Sequence, residues 1–299
     1  MNDLVSVVMP TYKRADFIKN AINSIVSQTY RNIELIVVDD NIFGSKEAVE
    51  TKMVVDSFND SRIRYIKNQK NLGGAASRNV GIFNAKGKYT AFLDDDDMYL
   101  PEKIDVQYHK MLEENWDVCA MDGATHKFET GELATEHHQQ IHNGMSLLEL
   151  QKAHLIHHIT GTNSFMFKTS FLQEIGGFDD VPSCHEYFLV QKALDHNPKF
   201  GYIPQILIKN FVHNGEQIST GDKKLQGLHL LYENKKKYFH LLTRKEQNIV
   251  SCRYYGALFY VYYKRKVWFK AIRYAFKSFF LAPKQTLIWM GVYWNKIFS

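Results

Sequence analysis

The sequence predicts an α/β fold in which helices flank a mostly parallel sheet. Short apolar runs rich in Val and Ile alternate with longer segments whose apolar residues recur at helical spacing. Several runs stop abruptly at polar or acidic residues, as buried strands do at a sheet edge. Strands and helices that alternate in this way build parallel βαβ units. The expected strands are 4–9, 34–38, 63–66, 89–93, 118–121, 162–167 and 203–211.

Helices are expected between these strands. Residues 16–28 show the clearest pattern, with Phe17, Ala21, Ile22 and Ile25 on one face. The other expected helices are 46–58, 75–85, 101–114, 146–154, 170–174 and 186–196.

Between about residues 125 and 158 the periodicity weakens, and polar residues predict a mobile loop region. Scattered histidines fall here without a clear helical face, so we favour a loop over a zinc site. These histidines are His126, His137, His138, His142, His154, His157 and His158.

Composition indicates an ordinary globular protein. The chain has 299 residues, of which 45% are hydrophobic and 23% charged. Its three cysteines lie far apart, which fits a reducing compartment and argues against a disulfide framework or a zinc finger. The first residues resemble a strand, not a signal peptide, and no apolar run reaches the roughly 18–20 residues of a membrane span.

The chain changes character near residue 226. Nine Lys or Arg and no Asp or Glu follow Glu246, among many aromatic residues. We expect a catalytic domain over 1–225 and a basic, aromatic-rich helical region over 226–299. This region predicts peripheral contact with a membrane. The alternatives are a helical subdomain packed on the catalytic domain or the interface of a homodimer. Nucleic acid is not expected, because no recognition motif accompanies the charge.

Four consecutive carboxylates, Asp94 to Asp97, end the strand at 89–93. Adjacent negative charges repel, so a folded chain needs a compensating group, and a divalent cation is the usual one. Ligands also bind at the carboxyl ends of strands in open α/β sheets. The alternative is a solvated acidic turn without a function.

Three other strand ends carry polar groups. Pro10, Thr11 and Tyr12 end the first strand, where backbone and a ring suit a flat heterocycle. Asp39 ends the second, where a carboxylate accepts from a base or a ribose hydroxyl. In the glycine-containing segment 71–79, Arg78 faces either a diphosphate or the aspartates. The segment is not G-x-G-x-x-G, so a nicotinamide site is not favoured.

Together these motifs resemble the family 2 inverting glycosyltransferases of GT-A fold, of the bacterial surface-polysaccharide type. The likeness covers about residues 4–215. It is carried by Ser-Val-Val-Met-Pro-Thr-Tyr, Glu-Leu-Ile-Val-Val-Asp-Asp, Asn-Leu-Gly-Gly-Ala-Ala-Ser-Arg-Asn-Val-Gly, and Ala-Phe-Leu-Asp-Asp-Asp-Asp with the later proline.

The resemblance implies a nucleotide-diphospho-sugar donor, most often a UDP-sugar, and Mn²⁺ or Mg²⁺. Pro10, Thr11, Tyr12 and Asp39 would then hold the nucleoside. Arg78 would support the diphosphate side of the donor. Asp94 and Asp96 would be the outer members of a D-x-D motif, with Asp96 the favoured metal ligand and Asp95 near the ribose.

The resemblance also implies a catalytic base after a Gly-Gly-Phe-Asp turn, which occurs here at 176–179. Where the family commonly has a Glu-Asp pair, this chain has His185-Glu186, so Glu186 occupies the position of the base. The alternative is that Glu186 only caps its helix. His213 matches a histidine near the diphosphate or metal in relatives, although a purely structural histidine is the competing interpretation.

The expected reaction is a single displacement that transfers a sugar to a saccharide or lipid-linked saccharide with inversion. The expected location is cytoplasmic, peripheral on the inner face of the cell membrane. Residues 121–123 and 157–163 are expected to select the sugar. One alternative is a sugar-phosphate nucleotidyltransferase, but its glycine-rich triphosphate loop is not found near the N-terminus. The other is a nucleotide-sugar-binding scaffold with an impaired base, which the unusual His185-Glu186 pair favours.

Overall fold

The computed structural model of the protein describes residues 3–212 and 222–288. It separates into two compact units, each described by itself below. The α/β unit comprises Met1–Leu147, Ile159–Asp180 and His185–Asn214, and the helical unit comprises Leu148–His158, Val181–Cys184 and Gly215–Ser299.

Strands and helices alternate through most of the chain. The strands are β1 Val5–Thr11, β2 Ile33–Asp39, β3 Ile63–Lys67, β4 Tyr89–Phe92, β5 Met98–Tyr99, β6 Val118–Lys127, β7 Leu133–His137, β8 Met166–Lys168 and β9 Phe200–Val212. The helices are α1 Ala15–Val26, α2 Lys46–Asp56, α3 Gly74–Asn84, α4 Lys103–Glu113, α5 Leu147–His157, α6 Thr169–Glu174, α7 His185–Asp195, α8 Asp222–Lys237, α9 Arg244–Lys264 and α10 Trp268–Leu281.

One sheet joins the strands in the order β3-β2-β1-β4-β8-β6-β9-β5, with β7 on β6. The first four in this order are parallel, as expected. β8 is antiparallel to both β4 and β6, and β9 is parallel to β6. The sheet is therefore mixed, and the α/β class predicted with flanking helices is confirmed.

Two sequence expectations were wrong. The expected strand at 162–167 is a 3₁₀ turn over Thr162–Ser164, and the strand begins only at Met166. The expected loop after residue 125 is in part a hairpin, because β6 continues to Lys127 and pairs with β7. All five residues of β7 are exposed, so this strand lacks the apolar alternation that identifies a half-buried strand.

The core of the α/β unit lies between β1, β2 and β4 and their helices. β2 is buried along its whole length, as expected for a parallel strand covered on both faces. Gly81 lets α3 lie against β1, because any Cβ at this position would clash with Val8. In register, Thr11 lies beside Asp39, and Val8 lies beside Phe92 near the end of β4. The polar residues that follow these strands thus share one edge.

The helical unit contains the three long helices α8 to α10. Helix α9 starts with a capping box, in which Thr243 and Glu246 exchange hydrogen bonds. Tyr232 of α8 stacks on Tyr254 of α9 with ring centroids 4.0 Å apart. The expected C-terminal helices are confirmed within the described residues, and the last part of the region expected over 226–299 lies outside them. Within 3–212 and 222–288, no helix is both long and apolar enough to cross a membrane.

Lys103, the first residue of α4, is fully buried. Its Nζ lies 3.9 Å from the ring centroid of Tyr99 and has no hydrogen-bond partner among the described residues. Burial lowers the pKa of this amine well below its ordinary value. At neutral pH the Lys103 amine is protonated in the unfolded chain, whereas burial disfavours its charged form in the folded chain. Lys103 therefore lowers the free energy of unfolding.

We therefore predict that Lys103→Met raises the free energy of unfolding by about 1–3 kcal/mol at pH 7. The gain should shrink as the pH rises toward about 10.4, where an unfolded lysine also loses its proton. Urea unfolding at several pH values measures both effects. The control is Lys110→Met on the same helix, whose amine is exposed and pairs with Glu113 at 2.7 Å. Equal stability of the wild type and Lys103→Met would contradict the prediction.

Candidate active site

The four aspartates after β4 separate into an outer and an inner pair. The side chains of Asp94 and Asp96 are 34% and 13% exposed, and each contacts a guanidinium. Arg78 of α3 pairs with Asp94, and Arg14, just before α1, pairs with Asp96. Two arginines, one in α3 and one in the loop before α1, thus contact the outer carboxylates.

The inner aspartates are buried. Burial raises the pKa of Asp95 to about 7; a hydrogen bond with Thr11 and the charge of Arg14 oppose the rise, and the charges of Asp96 and Asp94 add to it. Asp97 accepts hydrogen bonds from Asn163 Nδ2 at 2.5 Å and from the Phe211 backbone N–H at 2.8 Å. Burial, followed by the charges of Asp94 and Asp96, raises the pKa of Asp97 well above its ordinary value. Asp97 therefore fixes the turn from within.

Asn163 connects the cluster to the 3₁₀ turn. Its Oδ1 accepts from the Asp94 backbone N–H at 3.0 Å, while its Nδ2 donates to Asp97 and to Asn210. One amide side chain therefore holds both ends of the acidic turn. This role depends on contacts between residues 66 and 69 positions apart, so no local pattern reveals it.

Asp39 has no exposed side-chain surface. Its Oδ1 accepts from the backbone N–H and Nδ2 of Asn41, both at 2.8 Å, and Lys67 Nζ lies 3.4 Å away. Its Oδ2 accepts from the hydroxyl of Tyr65. Asp39 thus lies at the expected strand end with its oxygens engaged inside the protein, and its contact with a nucleoside stays a prediction.

The neighbouring Asp40 holds the glycine-containing segment. Its carboxylate accepts from the backbone N–H groups of Leu72 and Gly73 and from Asn68 Nδ2, all at 2.8 Å. Gly73 has φ +86°, a conformation that favours glycine. In the sequence, the only sign that Asp40 binds this segment is its position directly after a strand, at the sheet edge where ligand-binding loops and helix N-termini meet.

Pro10, Thr11 and Tyr12 lie at the same edge. Thr11 is buried, and its backbone carbonyl accepts from the Asp40 N–H at 2.9 Å. The side chain of Tyr12 is exposed. The structure therefore places the expected nucleoside residues beside the acidic turn, with the tyrosine ring open to solvent.

Asn79 joins the segment that contains Arg78 to the Gly-Gly-Phe-Asp turn. Its amide donates to the carbonyl of Phe178 and accepts from the Phe178 N–H, both at 2.8 Å. Gly176 and Gly177, with φ of +78° and +62°, allow this turn. The Arg78 guanidinium lies 5.6 Å from the Phe178 ring centroid. Asn79 therefore joins two motifs that lie 99 residues apart, next to the arginine that pairs with Asp94.

Glu186 lies in the first turn of α7, where a carboxylate is favoured by the helix dipole. The hydroxyl of Thr160 donates to Glu186 Oε1 at 3.3 Å. Thr160 is three residues before Asn163, which holds the acidic turn. The short segment from Thr160 to Asn163 therefore contacts both the candidate base and the aspartates.

Gln139 fixes the position of Thr160. Its Nε2 donates to the Thr160 carbonyl at 2.7 Å, and its Oε1 accepts from the Thr160 N–H at 3.3 Å. The Gln139 N–H donates to buried Asp122 at 2.9 Å, and Asp122 also accepts from Tyr202 and contacts His138. The two segments expected to select the sugar thus meet through Gln139.

The outer carboxylates suit a divalent cation that a substrate phosphate also binds. Mg²⁺ and Mn²⁺ favour oxygen ligands, and Mg²⁺ commonly uses one or two carboxylates together with phosphates. Asp95 Oδ2 is buried next to these carboxylates, and by the distance criterion for a hydrogen bond it has no partner in the described part of the chain. Within that part, no three or more His, Cys, Asp or Glu side chains form a metal-binding group. His213 lies outside the described residues.

Solved structures share this architecture. The structure of residues 1–349 of S. aureus TarS in complex with UDP-GlcNAc matches with a TM-score of 0.63 and 16% identity, covering 93% of this chain and 91% of that chain. The mannosyltransferase PcManGT from Pyrobaculum calidifontis, in complex with GDP-Man and Mn²⁺, matches with a TM-score of 0.59 and 14% identity, covering 93% and 86%. These likenesses support the GT-A-like fold.

Sequence comparison gives the family. An uncharacterised glycosyltransferase of Methanocaldococcus jannaschii is 31% identical over 225 residues, which cover 74% of this chain and 75% of the relative. The Escherichia coli protein WfgD, named as a UDP-Glc:alpha-D-GlcNAc-diphosphoundecaprenol beta-1,3-glucosyltransferase, is 38% identical over 112 residues, which cover 38% and 42%. Residues 6–174 match the model of glycosyl transferase family 2. Together with the strand-end motifs, this match establishes that the chain belongs to glycosyl transferase family 2.

Proposed function

We propose that the protein transfers a sugar, with inversion, from a nucleotide diphospho-sugar to a hydroxyl of a saccharide or lipid-linked saccharide during synthesis of a cell-surface polysaccharide. The observation that carries this proposal is the segment from Thr160 to Asn163, which contacts both Glu186 and the acidic turn. It brings a candidate proton acceptor close to the candidate diphosphate site.

A UDP-sugar is the favoured donor. TarS was solved with UDP-GlcNAc, and the name of WfgD specifies UDP-glucose and a diphosphoundecaprenol-linked acceptor. In this proposal, Pro10, Thr11, Tyr12 and Asp39 form the nucleoside side of the site. The diphosphate and ribose side consists of Arg78, Asp94 and Asp95.

A divalent cation, Mn²⁺ or Mg²⁺, fits the outer carboxylates. Asp96 would hold it together with Asp94, and His213 is proposed as a further ligand. When bound, such a cation neutralises the charge that develops on the departing diphosphate. The Mn²⁺ in the PcManGT complex supports this assignment.

Glu186 is the proposed general base. Its carboxylate takes the proton from the acceptor hydroxyl as that oxygen bonds to the anomeric carbon, while the bond from this carbon to the diphosphate oxygen breaks. A single displacement of this kind inverts the anomeric configuration. Thr160 holds the carboxylate through one hydrogen bond, and Gln139 holds Thr160. Residues 1–225 would form the catalytic domain.

The C-terminal region, 226–299, is proposed to contact the inner face of the cell membrane. On α10, Phe269, Ile272, Phe276 and Phe280 follow each other three or four residues apart and form one stripe. Phe269 is 81% and Phe280 78% exposed. The basic stripe, Lys270, Arg273 and Lys277, runs beside it. An exposed aromatic stripe beside a basic one fits the interface of an anionic lipid bilayer.

Transfer should be detected when the wild-type protein is supplied with a panel of nucleotide sugars, Mn²⁺ and lipid-linked saccharide acceptors. We predict that Glu186→Gln lowers kcat about 10²–10⁴-fold, because the amide cannot take the proton. Binding of UDP should stay within about twofold of wild type, since Glu186 is assigned no contact with the nucleotide.

Glu174→Gln, an exposed position of α6, is the matched control and should keep full activity. Full activity of Glu186→Gln would refute the base assignment. A wild type that binds UDP but transfers no sugar from any donor would favour the binding-scaffold alternative.

We predict that the protein floats with vesicles containing phosphatidylglycerol and much less with vesicles of phosphatidylcholine alone. Replacing Phe269, Phe276 and Phe280 by Ser should weaken binding at least about tenfold, because it removes most of the apolar stripe. Phe83→Ser removes an exposed ring from α3 and should leave vesicle binding unchanged. If the wild type instead sediments as a dimer and the triple variant as a monomer, the stripe is an interface between copies of the chain.

A further inference from the structure

Two arginines contact the acidic turn, but they are held differently. The Arg78 side chain is 13% exposed, and its guanidinium packs near the Phe178 ring. The Arg14 side chain is 41% exposed and reaches the turn from the loop between β1 and α1. Arg78 is therefore fixed by its surroundings, whereas Arg14 can leave the aspartates without exposing a buried side chain.

Arg14 contacts one of the two carboxylate oxygens of Asp96, the proposed metal ligand. Its Nη1 contacts Asp96 Oδ2 and lies 3.3 Å from Asp95 Oδ1. A guanidinium and a divalent cation are both positive and both bind carboxylate lone pairs. Arg14 on Asp96 and a cation on the same Asp96 oxygen therefore compete.

Among the described residues, two guanidiniums contact the two outer carboxylates. Asp94 and Asp96 supply two carboxylates, and Arg78 and Arg14 supply two guanidiniums. A divalent cation that enters alone adds uncompensated positive charge to this group. When a nucleoside diphosphate enters with it, the phosphates supply negative charge that a displaced guanidinium can bind, preferably through two parallel hydrogen bonds.

We propose that Arg14 is an exchangeable counter-ion, which pairs with Asp96 until a divalent cation and a nucleoside diphosphate bind together and then moves onto the diphosphate. This inference rests on the proposed function, because it assumes the donor diphosphate and the cation. It assigns Arg14 to the diphosphate site. It also makes the binding of cation and nucleotide cooperative, and by linkage each raises the affinity of the other by the same factor.

The test is binding of Mn²⁺ to the full chain, followed by the electron paramagnetic resonance signal of free Mn²⁺, with and without UDP. Wild type should bind Mn²⁺ alone weakly and at least about tenfold more tightly with UDP, a typical size for coupling between two sites. Arg14→Gln should bind Mn²⁺ alone several-fold more tightly than wild type, because its competitor is gone, and UDP should enhance that binding less.

Two variants control the result. Arg14→Lys keeps the charge without the planar fork, so it should retain the competition and lose part of the UDP enhancement. Arg31→Gln, which removes an exposed arginine after α1, should match wild type in both measurements. Circular dichroism confirms that each variant is folded.

The two proposals fail in different ways. If wild type shows UDP-enhanced Mn²⁺ binding but Arg14→Gln binds Mn²⁺ alone no more tightly, the counter-ion role of Arg14 is overturned. If wild type binds no Mn²⁺ even with UDP, the proposed metal site and the exchange are both overturned. A failure to transfer sugar, with the expected Mn²⁺ behaviour intact, would count against the proposed reaction alone.

Discussion

Charge repulsion within one turn governs the arrangement of the α/β unit. Four carboxylates follow β4 without a break, and a chain with all four charged and exposed would strain this turn. The fold resolves the problem by alternation. Asp94 and Asp96 face arginines, while Asp95 and Asp97 point inward, where burial raises the pKa of each. The outward pair contacts arginines near the surface, and the inward pair fixes the turn.

Amide side chains then fasten the surrounding segments to this turn. Asn163, Asn79 and Gln139 each donate and accept at once, so each replaces a stretch of backbone pairing between two loops. A neutral amide is well suited to this role beside an acidic cluster, because it adds no further charge. The result is a preorganised edge, in which the candidate base and the candidate diphosphate site are held by the same short segment.

The helical unit follows a different principle. Aromatic stacking between α8 and α9, and small buried residues of α10 such as Ala271 and Ser278, hold it together. The exposed face of α10 carries large apolar side chains. Exposed apolar patches of this kind commonly mark a surface that contacts a protein or a membrane. This surface is the basis of the membrane contact proposed for the helical region.

The sequence by itself determined the parallel half of the sheet and the strand ends at which polar residues gather. These features are local, since a buried parallel strand is a continuous apolar run and its end is marked by the next polar residue. The family followed from the same motifs. Only the tertiary structure decided that β8 runs antiparallel, that β6 and β7 form a hairpin, and which aspartates face outward. It also revealed Arg14, Asn79, Gln139 and Asn163, because their roles depend on partners between 17 and 99 residues away, and no local pattern encodes such contacts.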